Sequence, residues 1–305
     1  MQQFIEAAPG IRLWTEQRGN PDAPPLLLIM GAQATGVGWP EPLVDALATR
    51  HRVIRYDHRD TGRSTWAFER RPYRIADLAE DAITVLDGLG IARAHLVGMS
   101  LGGMLAQMVL TDHPDRVLSA TLLGTLALST APYTRPDGST VPAGELPGIA
   151  PEVLQMWARP VEDHSPAAEI ERRIAHWRVL AGDQLPFDAD YFRAFEERAI
   201  AHTGHHRTNT AHGRADDGGM LRTDRLAENR VPALVVHAPA EPVFPPPHAQ
   251  HLAQCVRGAH LVEIPGMGHA LPPAVQGPLA EAILAHTEAA DRAALPGSTT
   301  APPQP

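Results

Sequence analysis

Residues 95–103 read His-Leu-Val-Gly-Met-Ser-Leu-Gly-Gly, an apolar run that stops at a Gly-x-Ser-x-Gly pentapeptide and passes into Met104-Leu105-Ala106-Gln107-Met108-Val109-Leu110. The first half reads as a strand and the second as a helix. Few architectures turn a strand into a helix at a single serine. The serine must occupy a tight, strained bend, where Gly98 and Gly102 leave the backbone room and the following helix N-terminus favours negative charge. A serine hydroxyl needs that setting to act as a nucleophile. Ser100 is therefore the candidate nucleophile, with Gly98 and Gly102 forming the elbow. The pentapeptide alone is a weak signal, and a plain strand-to-helix turn is its bland reading; the flanking strand and helix carry the assignment.

Apolar runs and helical patterns alternate along most of the chain. Phe4-Ile5-Glu6 and Ile11 to Glu16 flank Pro9-Gly10 with period-2 alternation, which predicts a hairpin. Short apolar runs follow at Pro25 to Met30, Arg52 to Tyr56, Ala94 to Gly98, Leu118 to Leu123, Ala233 to His237 and His260 to Ile264. Strands buried on both faces read this way. Helical stretches fall between them, at about 40–49, 75–89, 101–112, 246–256 and 273–291. The expectation is an α/β fold: a mostly parallel, doubly wound sheet with an N-terminal antiparallel hairpin. The rhythm breaks between about 129 and 228. Six prolines from Pro132 to Pro160 punctuate the chain there, before helical stretches at 166–181 and 188–201. A helical cap inserted after the sixth strand is expected, so that residues 1–128 and 229–292 make the core, 129–228 the cap and 293–305 a disordered tail.

Composition narrows the function classes. A formal charge of −9 argues against nucleic acid and anionic membranes as partners. A single cysteine, Cys255, excludes an internal disulfide, and Met1 to Glu6 has neither the basic nor the apolar region of a signal peptide. Leu26 to Met30 is too short to span a bilayer, so the cytoplasm is the expected compartment. Sixteen histidines raise the question of a metal, yet there is no cysteine pair and no His-Glu-x-x-His. No metal and no cofactor are expected. His202, His205, His206 and His212 read as members of a solvated, Gly-rich loop.

A serine nucleophile needs a base and a group that orients it, in the chain order Ser, acid, His for this fold. His269 is the base candidate, in the Gly-rich loop Pro265-Gly266-Met267-Gly268-His269 after the last strand. Its bland reading is a loop histidine capping the next helix. His237 and His260 fall inside strands, and His248 and His251 lie on a helix leading away from the strand ends. The acid should follow the strand Leu234 to His237, and Glu241 is the carboxylate there. Glutamate can hold an imidazole tautomer if the loop absorbs the extra methylene. A carboxylate from elsewhere, or a dyad without one, stays open.

The oxyanion of a tetrahedral intermediate needs two backbone N–H donors. Leu101, directly after the nucleophile, and Ala32, in Met30-Gly31-Ala32-Gln33, are the candidates. Tyr56-Asp57-His58-Arg59-Asp60-Thr61-Gly62-Arg63-Ser64 is dense in charge but follows the wrong strand for a triad. Its expected role is structural, with Arg59 pairing with Asp57 to brace the loops.

From about residue 11 to 288 the chain resembles the α/β-hydrolases, and among them the methylesterases of anthracycline biosynthesis that act on aclacinomycin-type compounds. The resemblance is carried by Leu28-Ile29-Met30-Gly31 with Gly38-Trp39-Pro40, by Val53 to Thr65, by Trp177-Arg178-Val179-Leu180, by Glu196 to Ile200, by Glu263 to Pro272 and by Gly277 to Glu281. It implies Ser100 as nucleophile and His269 as base. The family's second oxyanion amide falls on Ala32, where the pattern has Gly, and its acid on Glu241, where the pattern has Asp. Residues 202–224 match poorly.

The activity implied is hydrolysis of the carbomethoxy group of a glycosylated, aromatic polyketide, with no cofactor. Such a flat ligand needs an apolar slot. Gly31, Met99, Trp157, Trp177 and Phe192 are the candidate contacts, drawn from a set with Leu154, Met156, Leu180, Phe187, Tyr191 and Phe195, most of which read as the cap's own core. A lactonase, a peptidase or a cofactor-free haloperoxidase would use the same machinery. A non-catalytic ligand-binding member of the fold is the reading from another class.

Overall fold

Leu26 and Leu28 point to one side of the third strand, and Leu27 and Ile29 to the other; all four are fully buried, in two separate clusters. Period-2 alternation with no polar face demands cover on both sides of the sheet. The computed structural model, which describes residues 1–163, 165–207 and 210–294, supplies that cover.

Before the cap the chain runs through β1 (Gln2–Ala8), β2 (Ile11–Arg18), β3 (Pro25–Ile29), α1 (Glu41–Ala48), β4 (Arg52–Tyr56), α2 (Ile75–Gly88), β5 (Ala94–Met99), α3 (Leu101–Asp112) and β6 (Val117–Leu123). The middle adds a small pair, β7 (Tyr133–Thr134) and β8 (Thr140–Val141), and then α4 (Pro151–Trp157), α5 (Pro166–Leu180), α6 (Ala189–Thr203), α7 (Ala211–Arg214) and α8 (Thr223–Ala227). The chain returns through β9 (Ala233–His237), α9 (His248–Cys255), β10 (Ala259–Glu263) and α10 (Pro273–Ala294). The eight-stranded sheet has the order β1-β2-β4-β3-β5-β6-β9-β10. β1 and β2 are antiparallel to each other, β2 is antiparallel to β4, and the remaining pairs are parallel. Residues of α2, α3 and α9 fill one face and those of α1 and α10 the other.

The expected strands and helices recur to within a few residues, while β7, β8, α4, α7 and α8 were not expected, and two of the expected elements differ. β10 was expected to be buried on both faces, but it lies at the sheet edge, where Leu261 is 42% exposed. The last helix runs to Ala294, so residues 293 and 294, assigned from sequence to the tail, are helical; the rest of that tail lies outside the described residues.

Local chemistry sets the cap helices. Ser165 Oγ accepts from Ala168 N and precedes Pro166, starting α5. Asp188 caps α6 through Tyr191 N, and Gly204 ends it at φ +84°. Within the stretch 129–228 expected to form the cap, Ala211 and Leu226 instead join the core cluster under α2 and α3. Among the described residues no helix is long and apolar enough to cross a membrane.

Candidate active site

Ser100 leaves β5 at φ +55° and ψ −121°, a strained backbone for a residue with a side chain. Two glycines make the bend possible. A Cβ on Gly98 would lie 2.3 Å from the Gly102 carbonyl oxygen, and one on Gly102 would lie 2.0 Å from that of Ile29. The elbow is thus pressed against the end of β3. Gly31 follows β3 so closely that a Cβ there would stand 3.1 Å from Ser100 Cβ. Ser100 N donates to the Leu123 carbonyl at 3.0 Å, tying the elbow to the end of β6.

Glu241 and His269 meet beside that strand end. His269 Nδ1 is 2.8 Å from each carboxylate oxygen of Glu241, whose Oε1 also accepts from Val243 N at 2.8 Å and Phe244 N at 3.3 Å. Burial works to raise the Glu241 pKa, but the His269 ring and these amides outweigh it and hold the carboxyl below its usual range. The extra methylene is accommodated by the turn at Pro242, whose two following amides close on the carboxylate. Gly124, next after β6, forms the floor: its φ is +52°, and a Cβ there would stand 3.2 Å from both Glu241 Oε2 and His269 Nδ1. Leu123 and Gly124 therefore bring Ser100 to one side and the Glu241–His269 pair to the other. No hydrogen bond joins Ser100 Oγ to His269 among the described residues. Among the described residues Glu241 is the carboxylate bonded to His269.

The oxyanion candidates lie on two neighbouring backbones. Leu101 begins α3, and its N–H, like that of Ala32, has no protein acceptor among the described residues. The loop holding Ala32 is gripped at both ends by histidines. His58 Nε2 donates to the Met30 carbonyl at 2.9 Å, and Gln33 N–H donates to His212 Nδ1 at 2.9 Å. Burial, reinforced by the neighbouring His212, pushes the His58 pKa down to about 3; burial also lowers that of His212. Both rings are neutral near pH 7.

Three readings of the sequence need correction. Arg59 does not pair with Asp57: its guanidinium grips Asp81 of α2 through two 2.6 Å contacts. Asp57 is taken instead by Gly36 N at 2.7 Å, Arg63 N at 2.8 Å and His202 Nε2 at 2.7 Å. The loop at Gly62 folds over the Asp57 carboxylate, which leaves Arg59 facing α2. Nor are His202 and His212 solvated loop residues. His202 lies in the last turn of α6, edge-on to Trp14 at 4.4 Å and bonded to the buried Asp57, and His212 is 5% exposed, held between Gln33 N and the Arg59 carbonyl, so burial has given both rings partners. Phe192, finally, expected as a ligand contact, lies in the cap's own core. It is 2% exposed, stacked between Phe187 and Trp177 and packed on Ala270.

Of the other expected contacts, Gly31 and Met99 adjoin Ser100, whereas Trp157 and Trp177 belong to α4 and α5. Met99 is buried at the end of β5 beside Ser100. Trp177 donates from Nε1 to Glu196 at 2.6 Å, and Trp157 is half exposed. Trp157 Nε1 donates to His176 Nε2 at 2.8 Å, a residue that sequence reasoning missed. Burial, with Arg172 and His269 adding to it, pushes the His176 pKa down to about 4. His176 lies one helical turn before Leu180, whose carbonyl accepts from His269 N at 2.7 Å. The cap is thus bonded to the base loop itself. A Cβ on Gly268 would come within 2.4 Å of the Ala181 carbonyl, so Gly268 permits that approach. Among the described residues there is no group of three or more His, Cys, Asp or Glu that could hold a metal ion.

Comparison with known proteins places these features in context. A family described as alpha/beta hydrolase fold matches residues 24–272. The chain is 41% identical over 290 residues to a rhodomycin D methylesterase of Streptomyces peucetius, covering 92% of this chain and 96% of that one. It is 40% identical, with the same coverages, to a rhodomycin D methylesterase of Streptomyces sp. strain C5. Among solved structures, a hydrolase from Pseudomonas aeruginosa PA01 superposes with a TM-score of 0.67 at 24% identity, over 93% of this chain and 97% of that one, a likeness of fold alone.

Proposed function

Because this chain belongs to the alpha/beta hydrolase fold family, and within it to the rhodomycin D methylesterases, we propose that it is a serine carboxylesterase acting on an anthracycline-type polyketide. It hydrolyses the carbomethoxy ester, giving the free carboxylic acid and methanol. The observation that carries this reading is the likeness to enzymes of that name along almost the whole chain, cap included.

The chemistry assigned to each residue follows from its place. Ser100 Oγ attacks the ester carbonyl as His269 takes its proton. Glu241, on Nδ1, holds the ring in the tautomer that leaves Nε2 free and balances the imidazolium that forms. The oxyanion draws on the Leu101 and Ala32 amides, with the N-terminus of α3 adding to the field. His269 then protonates the departing methoxide. A water, deprotonated by the same ring, attacks the acyl-serine; the acid leaves and Ser100 recovers its proton. The buried apolar surroundings of Glu241 and His269 strengthen these electrostatic terms.

Incubation with rhodomycin D, followed by mass spectrometry, tests the reading. A product lighter by one methylene, with methanol released, is expected from the native chain. Ser100→Ala should lose on the order of a thousandfold or more in turnover while keeping its fold. An unchanged methyl ester under conditions where simple lactones or peptides are cleaved would overturn the substrate class, and a fully active Ser100→Ala the nucleophile.

A further inference from the structure

We propose that His212 is a positioning residue for the oxyanion loop, holding Gln33 from the cap side so that the Ala32 amide stays fixed and unoccupied beside Ser100. The inference rests on the ester-hydrolase reading, which assigns the loop its task.

Gln33 has a φ of +64°, a left-handed conformation that a side-chain-bearing residue keeps only when its surroundings enforce it. The enforcing contact is the bond from its N–H to His212 Nδ1. An imidazole that accepts at Nδ1 carries its proton on Nε2, and His212 Nε2 does donate, to the Arg59 carbonyl at 3.0 Å. One neutral ring therefore joins Gln33 to the loop after β4. His58 stands edge-on to His212 with ring centres 5.6 Å apart and holds the Met30 carbonyl at the loop's other end. Between these two anchors lie Gly31 and Ala32, and Ala34 N closes the turn on the Gly31 carbonyl at 3.4 Å. The Gln33 amide is committed to His212, so the Ala32 amide is the one left to face developing charge.

The segment behind it is tied to the core at two points. Arg214 pairs with Glu69 through contacts of 2.5 and 3.1 Å and lies 5.1 Å over the Phe68 ring. The Asp216 carbonyl accepts from Ile75 N at 2.9 Å. A residue about 180 positions after the oxyanion loop is thus brought against the loop before α2, and an oxyanion donor fixed before reaction costs no reorganisation during it. Losing the hold should slow chemistry and leave ground-state binding nearly unchanged.

Three variants test this. His212→Asn keeps an acceptor near the Nδ1 position, His212→Gln moves the polar group towards Nε2, and His212→Phe keeps a ring without nitrogen. The readouts are kcat and KM on rhodomycin D and on p-nitrophenyl acetate, affinity for an alkylboronic acid that adds to serine as a tetrahedral anion, thermal midpoint, and hydrogen exchange of the Gln33 amide. His212→Phe should lower kcat by on the order of 30- to 300-fold, with KM within about threefold and boronate affinity falling in parallel. His212→Asn should stay within about fivefold of the native kcat, and the Gln33 amide should be protected in the native and Asn proteins and exchange freely in the Phe variant. A His212→Phe protein within about threefold of native kcat, or Asn and Phe variants of equal kcat and similar thermal midpoint, would overturn the proposal. If His212→Phe does not fold, the Asn and Gln variants decide: Asn must exceed Gln by about tenfold or more in kcat, and equality overturns it. A native protein inactive on both esters would sink the ester-hydrolase reading instead, while Gln33 exchange still decides whether His212 holds the loop.

Discussion

Gly124 lies directly against His269: a methyl group on its Cα would stand 3.2 Å from His269 Nδ1, on the side where that nitrogen meets Glu241. The end of β6 thus supplies the surface on which Glu241 and His269 meet. Gly124 was not singled out from sequence, where it is one of 25 glycines.

Gly124→Ala should therefore damage both stability and turnover. A side chain at φ +52° costs about 1–2 kcal/mol, and the new methyl group pushes on the imidazole. The expected result is a thermal midpoint lower by a few degrees and a kcat lower by roughly tenfold or more. Steady-state kinetics beside a melting curve will check it; native kcat would mean that the Glu241–His269 pair can shift without loss.

Glu241→Gln should cost on the order of a hundred- to ten-thousandfold in kcat, because an amide stabilises the wrong imidazole tautomer and leaves the imidazolium without a counter-charge. Glu241→Asp is the sharper test. Both Glu241 oxygens stand 2.8 Å from Nδ1 while Oε1 also holds Val243 N, so a carboxylate withdrawn by about 1.5 Å cannot keep both sets of bonds. A loss of about tenfold or more in kcat is expected for the Asp variant, and activity at or above native would show that the loop readily closes on the shorter acid.

Stability should fall in acid through the buried histidines. The folded pKa of His58, about 3, lies below its unfolded value of about 6.5. Between these values the unfolded chain binds the proton and the native chain does not. The His58 contribution is thus complete above about pH 6.5, declines by up to about 1.4 kcal/mol per pH unit as pH falls, and is exhausted near pH 3. His58→Gln keeps a donor for the Met30 carbonyl and removes this titration. Urea unfolding at several pH values between 7 and 4 should show a shallower decline for that variant; parallel curves would contradict the assignment.

The aromatic stack of the cap should matter for stability before it matters for binding. Phe192 lies 5.0 Å from Phe187 and 5.3 Å from Trp177, nearly parallel to both, and rests on Ala270 next to His269. Phe192→Ala should destabilise by about 3–5 kcal/mol, whereas the half-exposed Trp157→Ala should cost much less. Denaturant titration of the two variants compares them, and a smaller loss for Phe192→Ala than for Trp157→Ala would contradict the packing described.

What the sequence determined by itself was the order of the core elements and the strand ends from which Ser100, Glu241 and His269 project. Those features are written locally. Period-2 apolar runs declare burial on both faces, a strand meeting a helix at Gly98-x-Ser100-x-Gly102 declares the elbow, and loops after β9 and β10 can only emerge at the same edge as β5 because parallel strands share one direction. The tertiary structure decided which buried polar group takes which partner. Asp57 with His202, Arg59 with Asp81 and Gln33 with His212 join residues 145, 22 and 179 positions apart. No local pattern distinguishes a histidine that will meet water from one that will meet a buried carboxylate. Burial makes a partner obligatory, but which group is in reach depends on how the returning cap segment docks on the core, and that is settled only when the whole chain is in place.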